Sequence, residues 1–445
     1  MKRNITLLAV SLIFISSHIF AQARADTSLA GETAYTTFTE DGAWCWFSDP
    51  RAIHYQDKYN RTYAGWMDQQ GNVTVGYYDH DKKVIRKSVL HKNLEVDDHD
   101  NPSLFFDKDG KLMIFYSQHA RNTPIYLMRS KNAESIDAWE PRQELWVNDT
   151  TLHPEYSKTY TYTNICQLSE ENDKLYLFWR GMDFKPNFSV SEDGGKSWST
   201  GKILILPDRI YRNRRPYIKV STNHKDKIFF AFTDGHPLNE PTNSIYFMYY
   251  QNGAFHKANG EKIQNLADVP IQPEATDVVY DAKITGEKAW IWDVAYDREE
   301  HPVLVYARFK TDTTHMYYYA RWNGQQWENH KITDAGSWFP HTPEGEKERE
   351  VNYSGGIVLD HENPNTVYLS REVNGIFEIE RWTSEDGGAH WSSQPITQNS
   401  SQDNVRPFAV RHASEGNPLQ VLWMNLTRYV HYTDYASAIK MDLKK

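Results

Sequence analysis

The sequence has little cysteine, no excess of positive charge and few long apolar runs. Only Cys45 and Cys166 occur among 445 residues. Two thiols cannot build a disulfide framework or a cysteine-rich zinc site, so both are expected as buried free thiols. The formal net charge is −10. Nucleic-acid binders meet phosphate with an excess of lysine and arginine, so no nucleic-acid partner is expected. A local basic patch would still suffice for an anionic sugar, and the densest one runs from Tyr211 to Lys219. No low-complexity linker divides the chain, and no long amphipathic helical pattern appears.

The one notable apolar run is N-terminal. Lys2 and Arg3 precede an apolar stretch from Ile5 to Phe20, and Ala21-Gln22-Ala23 follows as a small-residue cleavage pattern, with Ala23-Arg24-Ala25 as a second option. The run is shorter than the ~20 residues a membrane span needs. It therefore reads as a signal peptide over residues 1–23. No cysteine follows it to carry a lipid. Residues 24–445 are expected as one exported β-propeller domain, periplasmic or secreted, monomeric and free of the membrane after cleavage.

Aromatic residues are abundant, with 28 Tyr, 15 Trp and 19 Phe. Such residues favour strands and suit sugar-binding surfaces, and disordered segments are poor in them. Scanning for self-similarity gives seven units, each an apolar strand, a loop and a second strand. They begin at Thr62, Lys111, Lys174, Lys227, His301, Thr366 and Leu419. Their starts are roughly 50 to 75 residues apart, a period that suits four-stranded propeller blades with loop insertions. Two units carry an Asp-box, Ser191-Glu192-Asp193-Gly194-Gly195-Lys196-Ser197-Trp198 and Ser384-Glu385-Asp386-Gly387-Gly388-Ala389-His390-Trp391. Asp and Gly favour a tight hairpin turn, and the Trp is expected to pack back between blades. The fold class is therefore all-β, a seven-bladed propeller with two Asp-box hairpins. The segment Thr33 to Phe47 is expected to supply the strand that closes the ring.

Equivalent strand ends lie at equivalent heights in a propeller. His119, Arg180, His236, Arg308, Arg371 and Asn425 end the first strong strand of their units and should ring one face, where concave binding sites form. His99 and the run from Lys158 to Asn164, which holds Tyr160 and Tyr162, precede the strands of two of these units. Paired carboxylates of the kind that hydrolyse glycosides do not stand out. His, His, Tyr and Arg suit a different reaction, proton abstraction beside a carboxylate. The C5 hydrogen of a uronic acid becomes removable when a cation or proton donor stabilises charge entering the carboxylate. A base must then stand at C5 and an acid at the C4 oxygen. Arg, with its permanent bidentate charge, suits the first role.

Several motifs support a family resemblance. They are Gly42 to Ala52, His99-Asp100-Asn101-Pro102, Ser117-Gln118-His119, Tyr162-Thr163-Asn164, Phe178-Trp179-Arg180, Arg215-Pro216-Tyr217, Thr233 to Pro237, Ser354-Gly355-Gly356 and Asn404-Val405-Arg406-Pro407. Through them the chain resembles the BNR-4 type seven-bladed propellers, a group of ulvan lyases, rhamnose–glucuronate lyases and related α-L-rhamnosidases. The resemblance implies a carbon–oxygen lyase acting on an acidic, rhamnose-containing glycan, by β-elimination at a uronate. It implies catalytic roles for His99, His119, Tyr162 and Arg180, with Tyr160 as the alternative to Tyr162. It implies substrate binding by Arg215, Tyr217 and His236. The C4 leaving group could be a sugar, or water in a dehydratase. No cofactor is required for this chemistry, although a structural divalent cation has a place in some ulvan lyases, held there by cysteine and histidine. The cysteine-poor central and C-terminal regions depart from that pattern. The rhamnosidases of the group use another surface and a histidine, for which His54 is the candidate. A non-catalytic glycan-binding propeller is the third reading.

Overall fold

The computed structural model describes residues 35–444 apart from 150, 152–154, 212 and 415. The signal segment expected over residues 1–23 lies outside the described residues. The chain forms seven antiparallel sheets around a central channel. The innermost strands are Ala52–Gln56, Ser103–Phe106, Asn164–Leu168, Ile218–Thr222, Lys288–Tyr296, Ile357–Leu359 and Asn404–Ala409, and their neighbours in the ring touch. We number the blades 1 to 7 in this order. Blade 4 is enlarged to six strands, because Lys262–Asn265 adds to Ala254–His256 at its outer edge and Asp277–Tyr280 joins Ile245–Gln251 as a further partner. The one α-helix among the described residues is the four-residue Ala282–Thr285.

The repeated runs are the second strand of each blade, rather than the first. In blades 2, 3 and 4 they are Leu112–Tyr116, Lys174–Arg180 and Lys227–Thr233. Their registers match: Phe115 faces Ser103, Phe178 faces Asn164, and Phe232 faces Ile218. Each second strand therefore ends beside the start of its innermost strand, at the same mouth of the channel. The innermost strands were harder to read because they are short and buried on both faces, so polar alternation is absent.

Ring closure uses less of the N-terminal segment than the sequence suggests. Tyr35–Thr39 pairs with Asp434–Lys444 and completes blade 7 from both ends of the described chain. Tyr35–Thr39 is the outermost strand of that blade, so the ring is tied shut while only short edges remain at its rim. The chain then turns at Gly42, where a Cβ would lie 2.7 Å from Thr39 and 2.8 Å from Ile439. Residues 43–51 do not extend the strand; they enter the channel. Cys45 N–H donates to Asp98 O, Trp44 Nε1 to Arg406 O, Trp46 Nε1 to Ile291 O, and Asp49 N–H to Asn164 Oδ1. Trp46 stacks on Trp292 with centroids 4.1 Å apart. Burying such side chains stabilises by about 2 kcal/mol each or more, and their indole N–H groups find carbonyl partners, as buried polar atoms must.

Both Asp-boxes behave as expected. Asp193 Oδ1 accepts from Lys196 N–H and Ser197 N–H, and Asp386 Oδ1 accepts from His390 N–H. Trp198 packs edge-on against Phe115 of blade 2, and Trp391 against Tyr319 of blade 5. They are rivets between neighbouring blades, outside the channel mouth.

Candidate active site

Blades 2, 3 and 4 each deliver two side chains to one mouth of the channel. One comes from just before the innermost strand and the other from the end of the second strand. Blade 2 gives His99 and His119, blade 3 gives Tyr162 and Arg180, and blade 4 gives Tyr217 and His236. His99 sits in the short turn Asp98–Asp100, capped by Asp97, whose carboxylate accepts the His99 N–H at 2.9 Å. Tyr162 has φ 60°, a left-handed conformation that costs an aromatic residue about 1–2 kcal/mol. Neighbouring hydrogen bonds hold it there: Arg180 N–H donates to Thr161 O, and Asn164 Nδ2 to Tyr162 O.

The two histidine rings stack with centroids 4.4 Å apart and planes 10° from parallel. Asp97 bridges them, with Oδ1 2.8 Å from His99 Nδ1 and Oδ2 2.9 Å from His119 Nδ1. A carboxylate only accepts, so each ring keeps its proton on Nδ1 and turns Nε2 away. Tyr432, from the last hairpin of blade 7, stands edge-on to both rings at 4.4 and 5.3 Å. Tyr162 lies 5.6 Å from His99 and 6.1 Å from His119, centroid to centroid.

Arg180 is 6% exposed. Its Nη1 donates to the Tyr217 hydroxyl at 2.6 Å, and its guanidinium lies 4.7 Å from the Tyr162 ring centroid. Its Nε is buried without a hydrogen-bond partner, and no carboxylate pairs with Arg180 among the described residues. A buried guanidinium without an anion is costly, and an anionic ligand would relieve that cost. His236 packs edge-on to Tyr217 and Trp290. Its Nδ1 accepts the Leu238 N–H, which leaves the neutral ring its proton on Nε2.

Burial and these neighbours set the titration of the site. Burial, then the charge of His99 and then Arg180 lower the His119 pKa to about 4, against Asp97. Burial also opposes a charge on His99, but Tyr162, Cys45, Tyr353 and Asp97 outweigh it and raise its pKa well above the usual imidazole value. Burial raises Tyr162 well above an ordinary phenol, against the pull of His99 and Arg180. Burial, then Arg180 and His99, lower His236 to about 3. At neutral pH the mouth therefore holds a neutral His119, a protonated Tyr162 and an unpaired Arg180, and the carboxylates of Asp97 and Asp98 make His99 the ring on which a positive charge is favoured.

The structure separates the other candidates from this cluster. Tyr160 is buried, stacks on Trp179 and accepts the Asn148 N–H on its hydroxyl, so Tyr162 is the tyrosine at the mouth. Arg215 is exposed on the rim, with its guanidinium 3.9 Å from the Phe184 ring centroid. Arg308 pairs with Glu287, Arg371 pairs with Glu380, and Asn425 bonds Asn404, so these three stay within their own blades or next to them. His54 is not brought to the cluster. It lies on Ala52–Gln56 beside His80, and its backbone N–H donates to Arg411 O. Burial, with His80 and His412, lowers its pKa to about 4.

Sequence reading missed Asp97, Tyr432 and the buried pair of Arg406 with Asp98 at 2.7 Å. Asp97 had a legible sign, its position two residues before a candidate histidine. Tyr432 had none, because its place depends on how blade 7 folds over the mouth. Two donor sets at the mouth, Cys45/Asp98/His99 and Asp97/His99/His119, lie close together. In the second set the facing atoms are joined by hydrogen bonds, and in the first His99 Nδ1 is 3.1 Å from Asp98 Oδ1, a charge contact without a hydrogen bond. Asp297, Glu299 and His301 form a third set, on a loop of blade 5. Cys166 packs in an apolar cluster, where burial pushes its thiol far above the usual range.

Fold and site together define a seven-bladed propeller with a cationic, histidine-rich mouth. The family profile of BNR repeat-containing proteins matches residues 61–335, and the chain belongs to that family. Among solved structures it is similar to an ulvan lyase of polysaccharide lyase family 25, with a TM-score of 0.67 and 17% identity over 92% of this chain and 95% of that one. The same enzyme bound to a repeat of glucuronate and sulfated rhamnose gives a TM-score of 0.66 at 17% identity, with the same coverage. At this identity the likeness concerns the fold. No curated protein matches the sequence.

Proposed function

We propose that the protein is a carbon–oxygen lyase that acts by β-elimination on uronate residues of rhamnose-rich, ulvan-type poly- or oligosaccharides. The observation that carries this is Arg180, a buried guanidinium with no carboxylate partner among the described residues, set beside two histidines and a tyrosine. A uronate carboxylate would supply the missing anion. Arg180 and the His99 imidazolium would hold it and stabilise charge developing on it as C5 loses its proton. His119 Nε2 takes the C5 proton. The C5–H electrons form the C4–C5 double bond, the C4–O bond breaks, and the Tyr162 hydroxyl protonates the departing C4 oxygen. The product is a 4,5-unsaturated uronate. Tyr217 and His236 would line the sugar-binding mouth, and Arg215 would meet the glycan at the rim. The ulvan lyase bound to glucuronate and sulfated rhamnose supports this substrate class. We place the enzyme outside the cytoplasm, from the N-terminal signal pattern, as a monomer that needs no cofactor for this chemistry.

The test is to incubate the protein with ulvan oligosaccharides and rhamnosyl-glucuronate glycans, following product masses and ultraviolet absorbance. New absorbance of a conjugated uronate without uptake of water is expected. Loss of one water from an intact oligosaccharide would identify water as the leaving group; a shortened chain would identify a sugar. Free rhamnose without new absorbance would overturn the lyase in favour of a hydrolase. Binding without any product would leave a glycan-binding propeller.

A further inference from the structure

Asp97 touches both histidines of the mouth with one carboxylate, and the two rings are not treated alike. His99 Nδ1 meets Asp97 Oδ1 at 2.8 Å and Asp98 Oδ1 at 3.1 Å. His119 Nδ1 meets only Asp97 Oδ2, at 2.9 Å. The rings lie 4.4 Å apart face to face, so two imidazolium charges at once would repel strongly. One of the two must stay neutral, and the extra carboxylate assigns the charge to His99. The positive charge of Arg180 also disfavours a second cation there.

We propose that Asp97 is the positioning residue that divides this histidine pair, fixing His99 as the imidazolium that meets the substrate carboxylate and His119 as the neutral base. The inference rests on the lyase reading for the roles, but the division itself is a property of the free protein. Because both Nδ1 atoms face Asp97, both Nε2 atoms face away from it. His99 then presents an Nε2–H donor and His119 an Nε2 lone pair, the two functions that a carboxylate and an adjacent C–H need. The groups that face the pair come from several elements. Cys45 comes from the channel segment, Tyr162 and Arg180 from blade 3, His236 from blade 4, Glu350 and Tyr353 from the loop before blade 6, and His431 and Tyr432 from blade 7. Asp98 turns Oδ2 to Arg406 and the Tyr429 hydroxyl and Oδ1 toward His99 alone, so it tips the charge onto that ring without reaching His119. That leaves Asp97 as the carboxylate the two histidines share.

Nitrogen NMR of the full-length protein, labelled at histidine, reads the division without substrate. One doubly protonated ring and one neutral ring with its proton on Nδ1 are expected at pH 7. Two rings titrating together near the ordinary value of about 6.5 would overturn the proposal. Asp97→Asn should abolish the doubly protonated signature, lower kcat about a hundredfold or more and move the acid limb of the pH profile. A role confined to holding the loop would leave the protonation states of a folded Asp97→Asn unchanged, and that result would also overturn it. His99→Gln gives a second variant: removing the stacked cation should raise the His119 midpoint by about one unit or more. Divided protonation without elimination on any uronate glycan would remove the lyase reading and leave the division standing. Elimination by a protein with two neutral rings would do the reverse.

Discussion

The two mouths of the channel are built from the two ends of the same innermost strands, yet their charges are arranged in opposite ways. At the far mouth the buried charges are closed on one another. Asp49 is held by Lys219 and by Arg51 at 3.0 Å, and Asp293 by His361 at 3.0 Å and Arg411 at 3.5 Å. A cavity of about 170 Å³ lies there, lined by Ser221, His224, Tyr296, His361 and His412 among others. At the near mouth Asp97 and Asp98 are matched by His99 and Arg406, and Arg180 is left over. A buried cation that touches a carboxylate serves the fold, as Lys219, Arg51 and Arg411 do, while one that touches none awaits a ligand. That contrast, more than the presence of histidines at both ends, separates the structural mouth from the reactive one.

Removing the unbalanced charge should have the largest effect on activity. Arg180→Met is expected to lower kcat/KM on a uronate glycan by about a thousandfold or more, with little loss of thermal stability, since no carboxylate loses its partner. Lys219→Met is the mirror experiment. It leaves Asp49 facing Arg51 alone and should cost about 3 kcal/mol in denaturant unfolding, with catalysis little changed in the folded protein. If Lys219→Met abolished turnover while Arg180→Met only destabilised, the assignment of the two mouths would be reversed. Tyr162→Phe keeps the ring against Arg180 and removes the proton for the C4 oxygen. A loss of about a hundredfold to a thousandfold in kcat is expected, checked by initial rates of absorbance change.

The contrast between the mouths was only half legible in the sequence. The repeat was visible because the second strands carry dense aromatic runs, and their shared ends brought His119, Arg180 and His236 into view. The partner residues were visible where a motif marked them, as with His99 and Tyr162. What stayed hidden depends on three-dimensional closure. Residues 43–47 read as part of a closing strand because they are apolar and aromatic, a composition that a channel plug shares. Arg308 and Arg371 read as members of the ring because their positions repeat, but Glu287 and Glu380 claim them, and no repeat signals a private ion pair. Asp97 is masked by the neighbouring acids Asp98 and Asp100, although its spacing to His99 allows one carboxylate to accept from that residue's backbone and ring together.

The pH profile tests the near mouth more finely. With its pKa lowered to about 4, His119 is neutral over most of the useful range and becomes protonated, hence inactive as a base, only as pH falls through that value. The acid limb of kcat/KM, which reports the free enzyme, should therefore lie near 4. In the complex the bound carboxylate offsets the charges of His99 and Arg180, so the acid limb of kcat should sit at a higher pH. Coincident limbs would mean that no anion settles beside this pair.

The smallest expected effect lies on the alkaline side and belongs to Glu350. Its Oε2 is buried without a hydrogen-bond partner, and burial, opposed by His99 and reinforced by Glu348, raises its pKa to about 7. The carboxyl is neutral below that pH and gains a negative charge above it, within electrostatic reach of His99 and Arg406. That charge opposes the arriving uronate, so KM should climb severalfold as pH rises through 7 while kcat changes less. Glu350→Gln keeps the shape and cannot ionise, so its KM should stay level over the same range. A KM that rises equally in both proteins would place the alkaline transition on another group, and Glu350 would then be a buried acid of the loop with no bearing on how the near mouth receives its anion.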